Sequence, residues 1–237
     1  MLESRVRAWI EIDLDAMVHN VKEVEKLVGN TKIMGIVKAN AYGHGMELSA
    51  KALQKAGVDF FGVACMDEAI ALRQSGIEQD ILILGFTPLE LVPYLDQYNL
   101  IQTVVSLEYA QDLNAYAKTN HQTIRCHCKV DTGMNRIGIQ YQDEYKNIDD
   151  IVQVYRQEHL NVEGIFSHFP VSDDLGQDAK TFTKHQIELF DEVLEQLKAQ
   201  GIEPGITHIQ NSYGILNYLD LGYDYCRPGL LYMGVVA

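Results

Sequence analysis

Basic residues are scarce in this chain. Its 237 residues carry 19 lysines and arginines against 33 aspartates and glutamates, a formal net charge of −14. A surface of that sign repels polyphosphate backbones and anionic bilayers, which argues against nucleic-acid and membrane-surface partners. It leaves room for a local positive pocket around one small phosphate. No apolar run reaches membrane-spanning length, and Met1–Leu2–Glu3–Ser4–Arg5 carries an acid and leads into no signal-type segment. The expected setting is the cytoplasm. Cysteines are few, at Cys65, Cys126, Cys128 and Cys226, and read as reduced core thiols in buried strands, not as a disulfide framework. In a strand Cys126 and Cys128 share a face while His127 points away, and no second ligand pair stands at zinc-like spacing, so no metal is expected. Proline and glycine never cluster into a linker, and no repeat or low-complexity tract divides the chain, which reads as one domain over residues 1–237. No G-x-G-x-x-G follows an early strand, which counts against a dinucleotide-binding open sheet.

What is present is an alternation of apolar strands and amphipathic helices, within a composition that is 47% hydrophobic and supports a full core. Asp13 can cap a helix with apolar residues Leu14, Met17, Val18, Val21, Val24, Leu27 and Val28 at helical spacing. Strands are expected near Ile33–Lys38, Phe60–Ala64, Ile81–Leu84, Ile101–Val105, Ile124–Val130, Val162–Phe166, Ile206–Ile209 and Tyr225–Arg227. Helices fall between them, around Asp67–Gln74, Leu89–Asp96, Leu107–Lys118, Glu144–Gln157 and Asp178–Ala199. That order predicts an α/β protein with a parallel sheet, and at this length a closed (β/α)8 TIM barrel, with an open doubly wound sheet as the other arrangement. No eighth helix follows Arg227, so the first helix could cover the last strand. An additional short strand, Ala8–Trp9–Ile10–Glu11–Ile12, precedes the barrel and suggests pairing with a further domain.

In such a barrel, polar residues at the C-terminal strand ends converge on one site. Lys38 ends an apolar run and opens the small, glycine-rich stretch Ala39–Asn40–Ala41–Tyr42–Gly43–His44–Gly45. A desolvated amine there loses protonation and can form a Schiff base with an aldehyde; a strand-end lysine can equally reach solvent. Leu84 closes the third strand, Lys129, Asp131 and Arg136 follow the fifth, and His168 the sixth. His208, Asn211 and Ser212 lie at the seventh, and Arg227, Gly229 and Leu230 at the eighth. The loops after strands seven and eight offer backbone donors and a hydroxyl for a phosphate. Schiff-base lysine, phosphate pocket and an arginine able to face a pyridine nitrogen together describe a pyridoxal 5′-phosphate site. A cofactor-free Schiff-base aldolase would explain Lys38 but not the phosphate pocket or Arg227.

The stretch Val37–Lys38–Ala39–Asn40–Ala41–Tyr42–Gly43–His44–Gly45 resembles the signature of the alanine racemases. The resemblance continues through Lys129–Val130–Asp131–Thr132–Gly133–Met134–Asn135–Arg136–Ile137–Gly138, Ser167–His168–Phe169, His208–Ile209–Gln210–Asn211–Ser212 and Arg227–Pro228–Gly229–Leu230–Leu231–Tyr232–Met233–Gly234. Asn211–Ser212–Tyr213–Gly214 and Val171–Ser172–Asp173–Asp174 are similar to the serine/alanine racemase domains of vancomycin-resistance systems. The resemblance implies interconversion of L- and D-alanine, or serine, for cell-wall D-amino acid supply. It implies that Lys38 carries the cofactor and acts as one of two bases, and that Tyr42, Leu84, Asn211, Ser212, Gly229, Leu230 and Tyr232 hold the cofactor, most of them at its phosphate. Arg227 would face the pyridine nitrogen, with His208 and His168 in the network around it. Arg136 would contact cofactor and substrate carboxylate, oriented by Lys129 as a carbamate or as an unmodified lysine. His208 could also be a satisfied core histidine, and His44 could simply shape its loop. In the family the second base is a tyrosine of a β-rich second domain from the partner subunit of a homodimer. None of the 13 tyrosines matches it, so this chain is expected to be the cofactor-binding barrel, poorly active alone. The alternative is a single-domain pyridoxal phosphate-binding protein that handles the cofactor without racemising amino acids.

Overall fold

The computed structural model describes residues 8–235. Helix α1 (Leu14–Val28) starts where Asp13 accepts the Ala16 N–H at 2.9 Å, and it buries Met17, Val21 and Val24. The chain then runs through β1 (Lys32–Ile36), the turn α2 (Lys38–Tyr42), α3 (Met46–Lys55), β2 (Phe60–Val63), α4 (Met66–Gln74) and β3 (Asp80–Ile83). A 3-10 turn (Leu89–Leu91) and α5 (Pro93–Gln97) stand where one helix was expected, because Pro93 takes a helix's first turn and cannot continue one. There follow β4 (Ile101–Val104), α6 (Leu107–Thr119), β5 (Ile124–Asp131), the hairpin β6 (Ile139–Gln142) and β7 (Tyr145–Lys146), α7 (Ile148–Tyr155), β8 (Leu160–Phe166), α8 (Gln177–Ala199), β9 (Ile206–His208), α9 (Ser212–Asn217) and β10 (Tyr225–Cys226).

Eight of these strands form a closed parallel ring in the order β1-β2-β3-β4-β5-β8-β9-β10, with β10 returning to β1 through Lys32↔Tyr225 and Ile33↔Cys226. This is the expected (β/α)8 barrel. Strand alternation sorts the side chains. Ile33, Phe61, Ile81, Cys126, Cys128 and Ile165 join the helices in the outer core, while Met34, Ile36, Phe60, Leu82, Ile101, Phe166 and Tyr225 fill the barrel. The first helix does lie beside the end of the chain: Asn20 Nδ2 donates to the Tyr232 carbonyl at 3.2 Å.

Three local expectations are corrected. Ala8–Ile12 forms no strand; among the described residues no strand pairs with it, and Trp9 and Ile10 are 71% and 79% exposed. The helix expected from Glu144 begins only at Ile148. Alternation of buried Ile139 and Tyr141 pulls the preceding segment into an antiparallel hairpin, Tyr141 pairing with Lys146 and Gln142 with Tyr145. Cys65 is exposed, because it stands beyond the end of β2 at the cap of α4. The other three cysteines are buried, and all four are free thiols. Among the described residues no helix is long and apolar enough to cross a membrane.

One irregularity shapes the barrel's interior. Opposite β5, strand β8 carries an extra residue: Cys126 pairs with Val162 but His127 with Gly164, leaving Glu163 as a bulge. Glu163 uses the bulge to reach Arg125, whose Nε and Nη2 donate to its carboxylate at 2.8 and 2.9 Å; Arg125 Nη1 also meets Asp80 at 2.8 Å. Gly164 thereby lies under the His127 ring.

Candidate active site

The strand β1 delivers Lys38 into an unusual turn. Ala39, Asn40, Ala41 and Tyr42 all have φ between +52° and +54°, a left-handed turn built without glycine. Each such residue costs on the order of 1 kcal/mol, so the turn depends on outside contacts. Asn40 Oδ1 accepts the Met46 N–H at 2.9 Å, and Glu68 accepts the Ala39 N–H at 2.7 Å. His44 bonds the Ala41 carbonyl through Nδ1 at 3.1 Å and so shapes this loop. Lys38 lines a cavity of about 210 Å³ at the C-terminal ends of the strands. Burial first, then the charges of Arg136 and Arg227, pull its pKa below the usual lysine value.

Across the cavity stands Arg227, only 4% exposed. Its Nη1 donates to His208 Nδ1 at 2.7 Å. Its Nη2 faces the Ser167 carbonyl at 2.7 Å, His168 Nδ1 at 3.0 Å and the Ile209 carbonyl at 3.0 Å. Every one of these partners is an acceptor without formal charge, and none of the contacts uses Nε. Burial draws the guanidinium pKa down to about 9, which leaves it charged at neutral pH.

That arrangement dictates the histidine tautomers. An arginine only donates, so His208 and His168 must each accept at Nδ1 and carry their proton at Nε2. His208 Nε2 then donates to His127 Nδ1 at 2.9 Å, which places the His127 proton on its own Nε2. The His127 Nε2 is buried with no partner. Burial and the Arg227 charge push His208 and His168 well below the usual histidine pKa; burial, Arg125 and Arg227 take His127 to about 3. All three are neutral imidazoles at physiological pH. Phe166 underlies this cluster, stacked on His208 at 4.7 Å with Lys129 and Arg227 over its ring.

Lys129 is 2% exposed and donates to the Val130 carbonyl at 2.8 Å. Burial, aided by Arg227, lowers its pKa to about 7. Asp131 organises the following turn, taking the Gly133 and Asn135 N–H groups on Oδ1 and the Arg136 N–H on Oδ2. Asp131–Thr132–Gly133 is thus a side-chain-templated turn, and it sets Arg136, largely exposed, on the cavity rim.

At the other end Ser212 Oγ accepts the Gly229 N–H at 3.0 Å and the Leu231 N–H at 3.2 Å, leaving its own proton free to be donated. Tyr42, held protonated by burial with a pKa near 12, lays its ring against Gly229. A Cβ on Gly229 would stand 2.3 Å from the Tyr42 Oη. Gly229→Ala is therefore expected to displace Tyr42 and destabilise the chain by about 1–3 kcal/mol, checked by urea denaturation. Asn211 has a different part: Oδ1 accepts the Gly214 N–H and the Ser172 hydroxyl, and Nδ2 donates to the Phe169 carbonyl. Its side chain caps α9.

The cavity brings together Lys38, Tyr42, Leu84, Lys129, Arg136, His168, Asn211, Ser212, Arg227, Gly229 and Leu230, as the sequence pattern implies. His208 lies behind Arg227, and Tyr232 behind the wall, buried, with its hydroxyl donating to the Ile36 carbonyl. Phe166, Ile36, Ile137 and Tyr213 also line the cavity. Phe166 and Ile36 could have been found by extending strand alternation inward. Glu68 gave no signal, because its contact with Ala39 joins residues 29 positions apart; alternation puts His127 on the face of Lys129, but its partner His208 lies 81 positions away.

Residues 12–236 match the family described as "Alanine racemase, N-terminal domain". The chain is 47% identical to an amino-acid racemase of Enterococcus faecalis, over 98% of this chain and 32% of that protein. It is 40% identical to a serine/alanine racemase of Enterococcus gallinarum, over the same shares. An alanine racemase of Carboxydothermus hydrogenoformans is 41% identical over 95% of this chain and 60% of its own length. Among solved structures, alanine racemase of Clostridium difficile 630 superposes with a TM-score of 0.88 at 36% identity, covering 96% of this chain and 58% of that one. The chain thus spans between about a third and three fifths of the length of these relatives.

Proposed function

Because the chain belongs to the alanine racemase N-terminal domain family, we propose that it is the pyridoxal 5′-phosphate-binding barrel of an amino-acid racemase acting on alanine or serine. The observation that carries this reading is the pairing of an amine with lowered pKa, Lys38, and a guanidinium held only by uncharged acceptors, Arg227, across one cavity. The donor set suits the cofactor. Tyr42 and Ser212 bring hydroxyls to the phosphate end, and Gly229 lets the Tyr42 ring lie there because a Cβ would strike it. Arg227 offers a donor that never accepts, the match for an unprotonated pyridine nitrogen.

A bound cofactor would supply an electron sink that loosens the proton on the substrate's α-carbon. Lys38, its pKa lowered by burial, would accept or return that proton at Nζ on one face. His208 and His168 fix the orientation of Arg227 and stay neutral, so the cation is not compensated by an anion. Arg136 on the rim meets the substrate carboxylate as a two-pronged donor. Lys129, with a pKa near 7, has enough neutral amine to take up carbon dioxide, and a carbamate there would orient Arg136.

Racemisation needs a second acid/base on the opposite face. We infer that it comes from protein beyond this chain, in a β-rich domain of a homodimeric longer protein. This is supported by the share of the relatives' length that the chain leaves uncovered. Free thiols at all four cysteines support a reducing, cytoplasmic setting.

Borohydride reduction in the presence of pyridoxal phosphate, followed by peptide mapping, is expected to modify Lys38 alone. Modification scattered over surface lysines would refute the reading. Racemisation of alanine or serine by the isolated chain at the rate of a complete enzyme would remove the need for an external base. No racemisation after a β-rich partner domain is supplied would favour the cofactor-handling alternative.

A further inference from the structure

A left-handed turn of four non-glycine residues does not hold itself. Its far end is fastened to α3 by Asn40 Oδ1 and the Met46 N–H. Its near end is fastened by Glu68, the third residue of α4. Glu68 Oε1 accepts the N–H of Ala39, the residue after Lys38, at 2.7 Å, and Oε2 accepts the N–H of Ala64, the first residue after β2, also at 2.7 Å. One carboxylate thus binds the end of β2, the first turn of α4 and the turn that carries the amine. An acid in a helix's first turn is ordinary and would explain the bond to Ala64. It does not explain the bond to Ala39, 29 residues away and on a different element.

We propose that Glu68 is the positioning residue for Lys38: its carboxylate locks the left-handed turn that aims the amine into the cavity and sets a negative charge beside it. The charge has a direction of effect. Burial, Arg136 and Arg227 all drive Lys38 towards its neutral form, and Glu68 opposes them. Tyr42, the remaining titratable group on the turn, stays protonated. Glu68 therefore performs two tasks, one geometric and one electrostatic, which different substitutions separate. Its assignment as a positioning residue rests on the reading of Lys38 as the cofactor-bearing amine.

The test follows acylation of Lys38 by a small amine-reactive reagent as a function of pH, with peptide mass mapping, in the full chain without cofactor. Glu68→Gln removes the charge but keeps one acceptor oxygen, and Glu68→Ala removes both. The acylation midpoint is expected at lower pH in both variants, because the charge that favours the ammonium is gone. Borohydride fixation of pyridoxal phosphate on Lys38 is expected to slow roughly 10-fold in Glu68→Ala and less in Glu68→Gln, the worth of one charge-assisted hydrogen bond. Glu68→Gln carries the midpoint test if Glu68→Ala fails to fold. An unshifted midpoint in Glu68→Gln overturns the proposal, whatever the fixation rate. Failure of the unsubstituted chain to fix the cofactor on Lys38 would instead overturn the cofactor reading, and the midpoint comparison would still report on Glu68.

Discussion

Replacing Arg227 by leucine is expected to weaken pyridoxal phosphate binding by roughly 10- to 100-fold and to lower stability at the same time. The first figure is the loss of a hydrogen bond from a charged donor, about 1.5–3 kcal/mol. The second follows from what Arg227 holds. His208 and His168 would each lose the donor to Nδ1, and the carbonyls of Ser167 and Ile209 would lose theirs. Each orphaned acceptor costs about 1–3 kcal/mol. Against this, leucine relieves a buried charge that has no carboxylate partner, which returns part of the loss. A net destabilisation of about 2–4 kcal/mol is the outcome, a fall in melting temperature of roughly 5–15 °C for a domain of this size. Arg227→Lys should recover charge but not the two-pronged geometry, and so restore only part of the affinity. Cofactor titration and calorimetry read the two effects separately, and unchanged affinity in the leucine variant would sink the role given to Arg227.

A comparable loss of stability is expected from Gly164→Ala, far from the cavity mouth. A Cβ there would stand 2.5 Å from the Ile206 carbonyl oxygen and 2.7 Å from the His127 ring. Ile206 is backbone within the barrel and cannot swing aside, and His127 is enclosed by Phe60 and His208. The bulge cannot relax either, since Gly205, at φ +73°, already lies against the Glu163 carbonyl. Overpacking a site with no soft neighbour costs about 3 kcal/mol or more. Thermal denaturation should show a fall of roughly 10 °C. Because the push falls on His127 and is passed to His208, weakened cofactor binding should accompany it. A variant as stable as the parent would mean that the bulge is more plastic than its contacts imply.

Much of this was readable beforehand, and the reason is periodicity. Inward alternation along β5, β8, β9 and the end of β10 sends His127, Lys129, Phe166, His208 and Arg227 into one interior, so the chemistry could be placed before any contact was known. What the local pattern hides has the opposite character. Ala8–Ile12 alternates like a strand, but a strand exists only beside another. Ala39–Tyr42 has no glycine, and local propensity argues against a left-handed path; the contacts that enforce it come from Glu68 on another element and from Met46. Asn211 and Ser212 look alike as polar residues at a strand end. Only the fold reveals that one caps a helix while the other gathers the Gly229 and Leu231 amides. Tyr232 stands behind the cavity wall, its hydroxyl donating to the Ile36 carbonyl.

The seam between β1 and β10 has a consequence in time. Lys38 follows the first barrel strand and Arg227 the last, and the two strands meet through only two residue pairs. During synthesis the amine is made before the opposite wall of its pocket, with almost the whole barrel between them. No shorter nascent segment contains the cavity, so a cofactor has nothing complete to grip until the ring shuts. Capture then favours the shut ring over the open one by mass action. The vitamin-derived ligand would act as a latch on a slow, long-range closure, and cells short of it should accumulate chains open at this seam.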